Sequence, residues 1–127
     1  MTVPEPLRFL AAIREPGRAL DWTIEDWQRI VRLSRRLRLL SRLAAGLQAQ
    51  ALLDAVPAPA RRHLVAELQL SRWRVTAMRW ALERVGAALA DCHHPIVLLK
   101  GAAYIGQDLS IARGRMPADV DILVPRE

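Results

Sequence analysis

The stretch IVLLKGAAYIGQDLSIARGRMPADVDILV, residues 96–124, decides the fold of the second part of the chain. Residues 96–99 form an apolar run of β-forming residues that is too short for a helix, which predicts a buried strand. Residues 101–105 predict a helix that opens directly from the end of that strand. Residues 120–124 predict a second strand, which Pro125 closes. The segment therefore indicates a strand–helix–strand unit.

The residues before this unit predict helices. Residues 5–15 have apolar side chains near helical spacing and are stopped by Pro16 and Gly17. Thr23 is placed as the N-cap of a long amphipathic helix over about residues 23–55, with an interruption expected near Gly46.

A second long helix is expected over about residues 58–90, starting at Pro57 and Pro59. We expect Trp73 and Trp80, seven residues apart, to anchor this helix against the earlier one. The expected fold is α+β and mostly α. A helical region covers residues 1–94, and residues 95–127 form the start of a second domain with an incomplete sheet.

The charge of the chain is concentrated in the helical region. The chain of 127 residues has 19 basic and 13 acidic residues, net +6, and Lys100 is the single lysine. Residues 1–94 contain 15 arginines and 9 acidic residues, whereas residues 95–127 contain 4 basic and 4 acidic groups. Six arginines follow one face of the first long helix: Arg29, Arg32, Arg35, Arg36, Arg38 and Arg42. We interpret this face as solvated, with a phosphate-binding stripe as the alternative.

Composition excludes several classes of protein. Apolar residues make up 52% of the chain, which argues against disorder, and no apolar run approaches the roughly 20 residues that cross a bilayer. The N-terminus lacks the basic-then-apolar order of a signal peptide. The single cysteine, Cys92, excludes an internal disulfide and fits a reducing compartment. We therefore expect a cytoplasmic protein without a membrane partner.

Two aspartates carry the candidate chemistry. Asp119 and Asp121 are two residues apart on the second predicted strand, so their side chains are expected on the same face. Two neighbouring carboxylates resist joint ionisation unless a cation lies between them, and carboxylate oxygens are ligands that Mg²⁺ prefers. The pair alone is weak evidence, because solvated acids at a strand end would have the same spacing.

The junction between the first strand and its helix adds a second feature. Backbone N–H groups at Gly101 and Ala102 are expected to face an anionic phosphate, and Lys100 lies at the same junction. Arg115 precedes the acidic strand and is a further candidate, with a salt bridge to that strand as its structural alternative. Metal, phosphate donors and cations together are what phosphoryl or nucleotidyl transfer requires.

Two motifs resemble the nucleotidyltransferase family with the DNA-polymerase-beta-type fold. They are Leu99-Lys100-Gly101 and the segment RMPADVDILV, residues 115–124, and they are most similar to a poorly characterised bacterial branch. The resemblance implies that Asp119 and Asp121 hold Mg²⁺ and that residues 101–102 contact a nucleoside triphosphate (NTP). It also implies attack on the α-phosphate by an acceptor hydroxyl, with release of pyrophosphate. RNA, protein and small molecules stay open as acceptors.

The chain departs from the family pattern at three points. Ala102 stands where the family has serine or glycine, and the segment from Gly101 to Asp119 is longer. The family's third carboxylate lies on a later strand, and Glu127 is too near the second strand to replace it. Two strands are also too few for an independent sheet.

We therefore expect an N-terminal piece of a longer protein, inactive alone, whose sheet is completed by a C-terminal half or a partner protein. One alternative is a helical interaction or RNA-binding module with a degenerate catalytic segment. Another is an antitoxin-like protein with the nucleotidyltransferase fold.

Overall fold

The computed structural model describes residues 3–115 and 117–125. Met116 and Glu127, which the sequence analysis used, lie outside this part. The chain is α+β and mostly α, as predicted, with a strand–helix–strand unit after the long helices. Its elements are α1 (Glu5–Arg14), a 3₁₀ helix (Pro16–Asp21), α2 (Ile24–Arg36), α3 (Leu40–Ala49), a 3₁₀ turn (Leu53–Ala55), α4 (Ala58–Ala88), β1 (Val97–Leu99), α5 (Lys100–Gly106), a 3₁₀ turn (Ser110–Ala112) and β2 (Asp121–Leu123).

The chain divides into two compact units, residues 1–70 and 71–127, and the division falls within α4. The sequence boundary after residue 94 marks another feature, the change from helices to strands. As a domain boundary it stays a prediction.

The first unit has a core built from α1, α2, α3 and the N-terminal half of α4. Trp22 and Trp27 meet edge to face, with ring centroids 4.8 Å apart. The α1 helix packs against both α2 and α3. The largest side chains buried in this core are Phe9, Trp27, Ile30, Leu40, Leu43, Leu47 and Leu64. Apolar burial of this extent is the main stabilising contribution to a small domain.

The expected single helix over residues 23–55 is wrong, because the chain turns between α2 and α3. Arg38 has a left-handed backbone with φ 56°. Its N–H donates to the carbonyl of Arg35 at 3.1 Å, and the N–H of Leu39 donates to the carbonyl of Ser34 at 2.8 Å. This pair of hydrogen bonds is the Schellman motif, which ends a helix by satisfying its last carbonyls. The motif usually has glycine at the left-handed position, so the sequence gives no signal here.

The interruption expected near Gly46 is also wrong. Gly46 lies inside α3, and a Cβ atom at this position would be 2.9 Å from Cγ of Pro16. The glycine therefore allows α3 to approach the segment after α1 rather than breaking the helix.

The α4 helix ends two residues before the predicted limit, but its tryptophans do not anchor it. Trp73 and Trp80 are 66% and 62% exposed, so the expectation that they pack against the earlier helix is wrong. The helix instead buries Leu64 and Leu68 in the first unit and Met78 in the second. Apolar residues lie on more than one face of α4, and periodicity alone does not select the buried one.

The second unit contains a two-stranded antiparallel sheet. In its register Val97 pairs with Leu123, Leu98 with Ile122 and Leu99 with Asp121. The expectation that the first strand is buried is wrong, since Val97 is 48% exposed and Leu123, opposite it, is 57% exposed. Within the described part of the chain, no helix is both long and apolar enough to cross a membrane.

Candidate active site

The sheet register brings Lys100 to Asp121. Leu99 is paired with Asp121, and α5 begins at the next residue, Lys100. The Lys100 ammonium donates to Asp121, with Nζ 2.8 Å from Oδ2. This hydrogen bond raises the pKa of Lys100 above its usual value, and the negative charges of Asp121 and Asp119 add to the effect. The cation predicted for phosphate and a carboxylate predicted for Mg²⁺ are therefore in direct contact.

Lys100 also has an unusual backbone conformation. Four non-glycine residues of the described chain have a left-handed φ: Arg38, Ala51, Lys100 and Asp108. Three of them directly follow the C-caps of α2, α3 and α5, where this conformation closes a helix. Lys100 is the exception, because it lies at the start of a helix. A left-handed residue of this type costs about 1–2 kcal/mol, and such strain is concentrated at functional sites.

The two aspartates occupy different positions relative to β2. Asp121 is its first residue and is half-buried, whereas Asp119 lies two residues before the strand and is exposed. The prediction that both side chains lie on one face of a strand stays untested, because Asp119 is outside the strand. The charge of Asp119 makes a small contribution to the raised pKa of Lys100, after the larger effect of Asp121.

The chemistry of these donors suits a metal that takes part of its coordination from a substrate. Within residues 3–115 and 117–125, no group of three or more His, Cys, Asp or Glu residues could hold a metal. The candidate ligands are the two carboxylates of Asp119 and Asp121, of which Asp121 is paired with Lys100. Mg²⁺ is usually held by one or two carboxylates together with substrate phosphates, so the pair fits that ion.

Gly101 and Ala102 have different environments at the start of α5. Ala102 is buried with Ile105 and Met78 in the core of the second unit, which gives a packing reason for alanine at this position. A Cβ atom at Gly101 would meet only Cβ of Pro117, at an ordinary contact distance of 3.7 Å. Gly101 is half-buried, and packing does not require glycine at this position.

Comparison with protein families identifies the chain. A family model described as an uncharacterised nucleotidyltransferase matches residues 23–127. The chain belongs to this family. The match begins at Thr23, the N-cap of α2, and includes both motifs and the Lys100–Asp121 contact. No curated protein and no solved structure gave a match.

Arg115 of this nucleotidyltransferase-family protein contacts an aromatic ring. Its guanidinium carbon lies 5.0 Å from the centroid of Tyr104, a cation–π distance. The Ser71 hydroxyl donates to the Arg115 carbonyl at 3.4 Å. No ion pair joins Arg115 to Asp119 or Asp121 in the described residues, so the structural alternative, a salt bridge to the acidic strand, is not formed.

Tyr104 is the residue of this region that the motifs do not reveal. It lies one turn after Gly101 on α5 and is partly exposed beneath the Arg115 guanidinium. The sequence shows only that a tyrosine lies one turn into a short helix. A tyrosine there can equally well serve packing, so the sequence does not identify Tyr104 as a site residue.

Proposed function

We propose that this protein transfers a nucleotidyl group from an NTP to an acceptor hydroxyl. Family membership supports the reaction class. The observation that carries the proposal is the contact between Lys100 and Asp121 at the strand–helix junction. In this proposal Asp119 and Asp121 are the metal ligands and catalytic residues, and the nucleotide is contacted by Lys100, Gly101, Ala102 and Arg115.

Asp119 and Asp121 hold Mg²⁺ in this proposal. When bound there, Mg²⁺ would supply positive charge that favours attack on the α-phosphate. Once the charge of Asp121 is compensated, the exposed Lys100 ammonium can exchange its carboxylate partner for a phosphate oxygen. The acceptor hydroxyl gives its proton to water as its oxygen bonds to the α-phosphorus, and the bond from that phosphorus to the pyrophosphate oxygen breaks. Lys100 would thus connect metal binding to triphosphate binding.

Completion of the site is also part of the proposal. The family reaction uses a third carboxylate, and we place it on a further strand or on a partner protein that extends the two-stranded sheet. Val97 and Leu123 are paired across the two strands, and their exposed side chains leave apolar surface of the sheet that such a segment could cover. The proposal includes a cytoplasmic location and leaves RNA, a protein or a small molecule as the acceptor.

Isothermal titration of the chain with each of the four NTPs, with and without MgCl₂, tests the metal assignment. We expect NTP binding to require Mg²⁺ and to weaken at least about tenfold in Asp119→Asn and in Asp121→Asn, the loss for one strong charged contact. Asp108→Asn is the matched control, because Asp108 is an exposed carboxylate of the same unit that pairs with Arg79. Unchanged Mg²⁺-dependent binding in both site variants would disprove the assignment.

A second candidate function, RNA binding through the helices, is favoured by one observation. Trp73 and Trp80 are exposed on α4, and the Arg84 guanidinium carbon lies 5.2 Å from the Trp80 ring centroid. Exposed aromatic rings with arginines are typical of surfaces that bind single-stranded nucleic acid. RNA binding that falls steeply with salt, needs no NTP and is unchanged in Asp121→Asn would favour this function over nucleotidyl transfer.

A further inference from the structure

The first unit contains a pocket that the proposed active site does not use. It has a volume of about 300 Å³ and lies between α2 and the first turns of α4. Ile24, Val31 and Pro57 contribute apolar surface, and Trp27 lines it as well. The volume is at the lower limit for pockets that bind small organic molecules.

Two arginines give this pocket a positive charge. Arg32 and Arg35 line it, and none of its lining residues is acidic. Arg29, one turn earlier on α2, is neutralised by Asp26 and Glu5. Arg32 has no such ion pair within the described residues. Among the described residues that line the pocket, Arg32 is therefore the arginine without a carboxylate partner, whereas Arg35 is paired with Glu67.

His63 and Arg35 form a fixed pair at the same pocket. Nη2 of Arg35 is 3.1 Å from Nδ1 of His63. Because a guanidinium only donates, Nδ1 accepts and the proton of the neutral ring is on Nε2. The ring therefore has an N–H donor to offer a ligand. Arg35 also forms a salt bridge with Glu67, with its Nε 3.7 Å from Oε1, which offsets part of the arginine's charge.

Trp27 adds an unsatisfied donor to this region. Its side chain is 1% exposed, and its indole N–H has no hydrogen-bond acceptor in the described residues. The nitrogen is closed off from solvent, so this donor is unpaired inside the core and is not offered to a ligand in the pocket. The pocket also adjoins the N-terminus of α4, where the helix dipole favours negative charge.

We propose that this pocket binds a small phosphate monoester with an apolar body. The charge of Arg32, together with the part of the Arg35 charge that Glu67 does not offset, attracts the charge of about −1.5 to −2 that a phosphate monoester has at neutral pH. His63 Nε2 is a further donor, and Ile24, Val31 and Pro57 form the surface for the apolar body. The site is independent of Asp119 and Asp121 and of nucleotidyl transfer.

Nuclear magnetic resonance titration of the full ¹⁵N-labelled chain with phenyl phosphate tests this site. We expect saturable binding, with amide shifts in α2 and in the first turns of α4. Arg32→Gln should weaken binding at least about tenfold, since it removes one charged contact. Arg36→Gln is the matched control, because Arg36 is exposed on the same helix and does not line the pocket.

Three outcomes would overturn the proposal. An equal loss of affinity in Arg36→Gln would show diffuse attraction to a basic surface. Equal affinity for inorganic phosphate would show that the apolar surface contributes nothing. Shifts confined to residues outside α2 and the start of α4 would place binding elsewhere. Amide spectra of Arg32→Gln without ligand confirm that the variant is folded.

Discussion

The two compact units differ in how completely they bury their apolar side chains. In the first unit, leucines such as Leu43 and Leu47 are completely buried in one continuous core. Among the described residues of the second unit, the buried cluster is smaller and consists of Met78, Ala102 and Ile105. The apolar side chains of both strands there are largely exposed.

The unit with the larger core and the unit with the proposed active site are therefore different parts of the chain. The first unit has the packing that a stable domain needs, whereas two-stranded sheets are marginal by themselves. Lys100 and Asp121 nevertheless lie in the second unit, at the sheet. The proposed active site is therefore supported by the part of the chain with the smaller core.

The largest expected effect compares two leucines. Leu47→Ala should reduce the free energy of unfolding by about 2–5 kcal/mol, because it leaves a cavity in the first core. Leu123→Ala removes the same atoms from an exposed strand position and should change it by less than about 0.5 kcal/mol. Urea unfolding followed by circular dichroism measures both values. Equal losses in the two variants would contradict the contrast between the units.

Local sequence signals account for most of the elements that were predicted correctly. Thr23 accepts a hydrogen bond from the N–H of Asp26, and Asp26 accepts one from the N–H of Thr23. This reciprocal capping box is visible in the sequence as a threonine followed by an acid three residues later. The limits of α1 and α4 and the order β1–α5–β2 likewise follow from prolines, glycines and periodicity.

What the sequence could not provide depends on tertiary contacts. Arg38 ends α2 in a left-handed conformation that glycine usually adopts, and the flanking sequence does not predict a helix end there. The exposure of Trp73 depends on which face of α4 meets the rest of the chain. Lys100 and Asp121 are 21 positions apart in the sequence, so their contact depends on the register of the two strands. The pocket at Arg32 joins segments distant in sequence, so its lining could not be predicted.

The next largest effect concerns the electrostatics of the first unit. Asp26 is buried and accepts two hydrogen bonds of 2.9 Å from Arg8, and Arg29 donates to it at 2.8 Å. The hydrogen bonds from Arg8, followed by the one from the Thr23 backbone, hold the pKa of Asp26 well below its usual value of 3.8. A carboxyl group with a depressed pKa stabilises the fold above its unfolded pKa, and this contribution is lost as the pH falls below about 4.

Asp26→Asn should therefore lower the free energy of unfolding at pH 7 by about 1.5–3 kcal/mol, the range for hydrogen bonds to charged groups. It should also reduce the decline in stability between about pH 5 and pH 2. Thermal unfolding across this pH range measures the effect. Glu25→Gln is the control, because Glu25 is exposed in the same turn of α2. A decline as steep in Asp26→Asn as in the unaltered chain would refute the assignment.

The smallest effect compares two glycines, one in each unit. Gly46→Ala would place Cβ 2.9 Å from Cγ of Pro16, a buried ring that cannot swing away. Overpacking of about 1–3 kcal/mol, offset by about 1 kcal/mol of improved helix propensity, should leave a net loss of about 1 kcal/mol. Gly101→Ala has only the 3.7 Å contact with Pro117, so its stability should stay within about 0.5 kcal/mol of the unaltered chain.

NTP binding should rank these two variants in the opposite order, with the larger loss in Gly101→Ala. Gly46 allows two segments of the first core to approach, so a folded Gly46→Ala chain should bind Mg²⁺ and NTP normally. A methyl group at position 101 would occupy the space through which we expect a phosphate to reach the α5 backbone, so Gly101→Ala should weaken NTP binding. Urea unfolding and NTP titration of both variants give the four values. If Gly101→Ala keeps both its stability and its NTP affinity, the backbone at the start of α5 is not a phosphate contact, and nucleotide binding would depend on Lys100, Arg115 and the metal ligands.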